Sequence, residues 1–122
     1  MRPFLSLLTL AALGACSPKY DVCTLEARSS VQVTVVDTQG RTQRDAHVTF
    51  TLNGGPEQNA LCDGGANQGG DCTTWVTSYE QAGDYVITAT SADGTRSAQS
   101  AVTVTEDTCH VITQSVMLTL PD

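Results

Sequence analysis

Cysteine and histidine supply most of the reactive side chains in this 122-residue sequence, which holds 5 Cys and 2 His. Cys16 closes an apolar N-terminal run, whereas Cys23, Cys62, Cys72 and Cys109 stand in polar surroundings. Four thiols of this kind can ligate zinc or form two disulfides, in any of three pairings. No Cys-x-x-Cys pair occurs, so disulfides are the expected use. Cys62 and Cys72 flank a Gly-rich loop that closes readily, and Cys23 and Cys109 lie before the first and last candidate strands. The expected bridges are therefore Cys62–Cys72 and Cys23–Cys109. In the chain-entropy account they are worth about 3 and about 4.5 kcal/mol.

Other constellations are thinner. His47 and His110 would need to converge with Asp45 or Asp107 to hold a metal, and no His-x-His or His-Glu-x-x-His spacing brings them together. Each is expected to be a hydrogen-bonded structural histidine. No serine sits in a Gly-x-Ser-x-Gly elbow, so acyl-transfer chemistry is not expected. Asp63, Asn67 and Asp71 offer oxygen ligands on a Gly-rich backbone, but their spacing is not that of a calcium loop. They are expected to serve turns and solubility. Trp75, with Tyr79 and Tyr85 expected on the same sheet, is the one candidate platform for a sugar ring or a peptide. The competing role for Trp75 is that of a buried core tryptophan. No catalytic residue, metal site or cofactor is expected.

Charge and composition narrow the partners. Six basic residues against 13 acidic ones give a formal charge of -7, which leaves no electrostatic footprint for nucleic acid. Aromatics make up 5%, too few for an extended stacking surface, while a hydrophobic content of 40% suffices for one small core. Several cysteines in so short a chain point to an oxidising compartment.

The elements that must position these residues read as strands. Val31, Val33 and Val35 alternate with polar residues up to the turn signal Asp37-Thr38-Gln39-Gly40. Val48, Phe50 and Leu52 do the same before Asn53-Gly54-Gly55-Pro56, and Tyr85, Ile87 and Ala89 before Asp93-Gly94. Shorter runs surround Trp75, Val102 and Val104, and Val116, Leu118 and Leu120 follow near the end. Val and Thr dominate, both stiff at χ1 and suited to a pleated, half-buried surface. The expected fold is all-β, a sandwich of about seven strands over 29–122. At the other end, Arg2 and the run Phe4 to Leu13 form a signal-peptide pattern too short to span a bilayer.

That run ends in Leu13-Gly14-Ala15-Cys16, which resembles the lipobox of bacterial lipoproteins. The resemblance implies cleavage after Ala15, acylation of Cys16 and stable attachment to a membrane, since several acyl chains anchor where one does not. It makes 1–15 a lipoprotein signal peptide and 16–28 the lipidated cysteine and a short tether, with Tyr20 to Leu25 as its slack. Ser17 after the cysteine implies an outer-membrane destination, facing either the periplasm or the surface.

Further on, Val31 to Gly40 followed by Asp45-Ala46-His47-Val48-Thr49-Phe50 resembles the start of carboxypeptidase regulatory-like domains. Ala82-Gly83-Asp84-Tyr85-Val86-Ile87 is similar to that family's approach to a central strand. The resemblance implies an Ig-like, transthyretin-like sandwich in which the Tyr85 hydroxyl hydrogen-bonds near a corner, with no catalytic residues to carry over. It implies a non-catalytic structural or interaction module of the cell envelope, with an unidentified protein or glycan as partner. The alternative is a carbohydrate- or peptide-binding module using Trp75 and Tyr79.

Overall fold

Alternation of branched apolar and polar residues produces the strands in the computed structural model, which describes residues 22–63 and 71–122. Eight strands follow in order: β1 (Val31–Val36), β2 (His47–Leu52), β3 (Gln58–Asn59), β4 (Leu61–Cys62), β5 (Trp75–Val76), β6 (Gly83–Thr90), β7 (Ser97–Val104) and β8 (Gln114–Thr119). They form two four-stranded sheets, ordered β4-β5-β1-β8 and β3-β2-β6-β7. The fold is an all-β sandwich, with no helix among the described residues. The signal-peptide pattern, Cys16 and Asn67 lie outside them.

The core lies between the sheets. Val31, Val33 and Val35 of β1 face Val48 and Phe50 of β2 and Tyr85, Ile87 and Ala89 of β6 in one buried cluster, closed by Leu118 and Leu120. Trp75 and Tyr85 are the largest side chains within it. Turns do what their residues dictate. The Asp37 carboxylate accepts the N–H groups of Gln39 and Arg41, both at 2.9 Å, while Gly40 supplies a φ of 78°. Ser91 to Gly94 closes β6 onto β7, with Gly94 at φ 74°.

Three features go beyond the sequence reading. β3 and β4 raise the strand count to eight; each is two residues long, too short to show alternation. They carry the chain from one sheet to the other across buried Ala60. β1 and β8 pair in parallel over their full length, Val31 opposite Gln114 through Val36 opposite Thr119. The folded region also begins earlier than Ser29. Cys23 is covalently joined to Cys109, and Thr24 is hydrogen-bonded to His110, so part of the expected tether belongs to the domain.

Candidate functional site

Two disulfides staple the sandwich at opposite ends. Cys23–Cys109 has its Cα atoms 5.2 Å apart and ties the N-terminal segment to the turn before β8. Cys62–Cys72, with a Cα separation of 5.7 Å, closes the loop between β4 and β5. Both separations suit unforced bridges. The Cys72 N–H donates to the Arg44 carbonyl, which seats Cys72 beside the turn before β2.

A chain of polar groups is built next to the first bridge. Asp107 Oδ1 accepts the N–H groups of Cys109 and His110, each at 2.8 Å, and so fixes the turn that carries both residues. His110, buried to 8% exposure, places Nδ1 2.7 Å from Glu80 Oε1. A carboxylate only accepts, so Nδ1 carries the proton in this bond. Nε2 lies 2.9 Å from the Thr24 hydroxyl, accepting from it in a neutral ring and donating to it in a charged one.

Glu80 is the hub of this arrangement. Its Oε1 also accepts the Arg28 N–H at 2.7 Å, and Oε2 accepts the Val111 N–H at 3.1 Å. The Arg28 amide, then the His110 ring and the Val111 amide, hold the Glu80 carboxyl below its ordinary range against the opposing effect of burial. Glu80 adopts a φ of 53°, uncommon for a residue with a side chain. The three chain segments meeting here are joined through one carboxylate.

Thr24, His110, Arg28 and Asp107 line an open depression of about 390 Å³ beside the Cys23–Cys109 bridge. The order hydroxyl–imidazole–carboxylate is that of an acyl-transfer relay. It is equally the order of a latch, and each group here joins a different chain segment. Nothing in the sequence around His110 points to its partners. The signal is long-range: Glu80 lies 30 residues from His110 and Thr24 lies 86.

Other candidates are kept apart by the fold. His47 pairs with Thr90 at the far end of β6, whereas His110 bonds to Glu80 just before β6 begins. Eight residues of strand, about 26 Å, separate the two ends. Asp71 makes an ion pair with Arg44. Trp75 is not available as a platform. Lying opposite Val33 and Cys62 within its sheet, it turns inward and is 1% exposed. Tyr79, by contrast, is 46% exposed and borders an open depression of about 340 Å³ with Glu26, Arg28 and Gln32.

Tyr85 is buried, with its ring 5.8 Å from that of Phe50. Its hydroxyl donates to the Gln81 carbonyl at 2.7 Å and lies 2.6 Å from the Ser78 hydroxyl. This corner closes the loop that carries Glu80. No protein-family model matches the chain, and no match was found among curated proteins or solved structures.

Proposed function

We propose that this chain is a lipid-anchored envelope domain that acts without catalysis, as a structural or interaction module similar to carboxypeptidase regulatory-like domains. The carrying observation is the double fastening of its N-terminal segment. Cys23 is bridged to Cys109, and Thr24 is bonded to the buried His110. Only residues 17–22 would separate an acylated Cys16 from that fixed point, and at about 3.5 Å per residue the lipid would hold the domain within roughly 20 Å. The bridge also favours an oxidising compartment. A hydrogen-bonded Tyr85 at a corner and the two-sheet packing support the Ig-like, transthyretin-like reading.

Intact mass spectrometry of protein extracted from membranes tests the anchor. The expected mass is that of a chain beginning at Cys16 with acyl chains attached, gaining two hydrogens per bridge on reduction. An unacylated chain would overturn the anchored reading, and free thiols would overturn the compartment.

Tyr79 favours a second reading, a carbohydrate- or peptide-binding module, because an exposed ring beside Arg28, Glu26 and Gln32 can stack on and hydrogen-bond a sugar. Glycan-array binding that is lost in Tyr79→Ala would support it. Binding unchanged in that variant would remove Tyr79 from the site. Trp75 fluorescence should be blue-shifted and insensitive to any bound ligand.

A further inference from the structure

The two sides of the sandwich treat their sheet edges differently. On one side the edge strands β3 and β4 are two residues each, and the chain crossing between them seals that flank. On the other side, the edges are β7, eight residues long, and β8, six residues long. Neither contains a charge, a proline or a glycine. Edge strands are ordinarily blunted by such residues, by bulges or by brevity, because an open edge is a template for another strand.

Hydrogen-bond phase shows which groups β7 leaves open. The Asn53 N–H donates to the Asp84 carbonyl, and the Ser91 N–H to the Arg96 carbonyl. Asp84 therefore faces β2, and its neighbours Gly83 and Tyr85 face β7, opposite Val104 and Val102. By the same alternation Ala98 and Ser100 also face β6, while Ser97, Gln99, Ala101 and Thr103 turn their N–H and C=O groups outward. Thr105 continues the series, and its carbonyl accepts from Ile112. Among the described residues, no backbone partner is found for the outward groups from Ser97 to Thr103.

We infer that β7 pairs antiparallel with β7 of a second copy of this chain, joining two β3-β2-β6-β7 sheets into one. The strand is self-complementary. With Ser97 opposite Thr103 and Gln99 opposite Ala101 of the second copy, all four outward residues exchange bonds, about eight in total. Side chains that meet across the axis are small or uncharged: Gln99 with Ala101, Ala98 with Val102, and Ser100 with itself. The pairing ends at Thr103, because the chain's own Ile112 and Val111 take the edge opposite Thr105 and Glu106. Arg96 of the second copy, just before its strand, then lies opposite Val104 and diagonal to Glu106, within reach of its long side chain. Each opposite-charge contact occurs twice. Among the described residues, neither side chain has an ion-pair partner within its own chain. These contacts offset some of the repulsion between two chains of charge -7.

The test is carried out on full-length protein in membranes and in detergent. Ser100→Cys should give a reducible dimer band on gels, while Ser97→Cys, whose thiol would face Thr103, should not. Analytical ultracentrifugation should show twice the chain mass, falling to one in Gln99→Lys/Ala101→Lys, whose side chains point outward and leave the fold intact by circular dichroism. Arg96→Glu should weaken the dimer at least tenfold, and Arg96→Glu/Glu106→Arg should restore it. A monomer at all concentrations would overturn the proposal. So would a dimer that survives the two lysines, or occupation of β7 by a different protein.

Discussion

His110 Nδ1 and Glu80 Oε1 lie 2.7 Å apart although 30 residues of chain separate them. Through this contact the turn before β8, the corner before β6 and the N-terminal segment share one carboxylate. His110→Ala should destabilise the fold by about 1–3 kcal/mol, since a buried hydrogen-bonded ring is lost and its partners are left without it. Denaturant titration measures this. Hydrolysis of p-nitrophenyl acetate should be the same for the native chain, Thr24→Ala and His110→Ala. A rate that falls by tenfold or more in both variants would make the latch a relay.

Removing the bridges separates their two contributions. Cys23→Ser/Cys109→Ser opens a span of 86 residues and should cost about 4.5 kcal/mol; Cys62→Ser/Cys72→Ser opens 10 and should cost about 3. Each figure is a large share of the stability of a small domain. Thermal unfolding of the two variants should rank them in that order.

Acid should weaken the fold through its turns. The Asp93 carboxyl is held down to about 2 from 3.8, chiefly by the Ser91 hydroxyl and then by the Thr95 amide and hydroxyl. Asp37, Glu80 and Asp107 are lowered as well, each mainly by a backbone N–H. A depressed carboxyl contributes stability that is complete above its unfolded pKa and lost as pH falls through the folded one. The stability these four carboxyls contribute should therefore be complete above about pH 5 and decline from about pH 4.5 toward 2. Asp93→Asn should flatten the lower part of that decline, as measured by chemical denaturation across the range.

Thr77 is 4% exposed, and its hydroxyl has no hydrogen-bond partner among the described residues. Its N–H donates to the Val31 carbonyl, so the backbone is satisfied. Thr77→Val keeps the shape, removes the stranded hydroxyl and should stabilise the protein by about 1 kcal/mol. A loss of stability would mean that the hydroxyl is paired in solution.

Gly83 shows how closely the strand ends are packed. A Cβ at this position would lie 2.6 Å from Asn53 Oδ1 and 2.9 Å from Leu52 Cδ1, and its φ of 145° disfavours any side chain. Asn53 in turn accepts the Asp84 N–H at 2.8 Å. Gly83→Ala should therefore lower the melting temperature by several degrees, more than Gly94→Ala in the open hairpin turn.

The long strands were legible because their residues alternate. Val31-Val33-Val35 and Tyr85-Ile87-Ala89 each present one apolar face, and a period of two has only one regular backbone to match it. Turns at Asp37–Gly40 and Asp93–Gly94 were legible because their side chains and glycines act within four residues. Cysteine spacing and the ends of the strands were enough to suggest the bridges. Tertiary structure alone decided the rest. β3 and β4 have too few residues for a period, and β1 and β8 are parallel neighbours only because two sheets must enclose one core. Trp75 became core rather than surface through the register of β5 against β1, which no local pattern states. Glu80, His110 and Thr24 meet for the same reason: a hydrogen bond acts over less than 3 Å, and only the folded chain brings such distant residues within that distance.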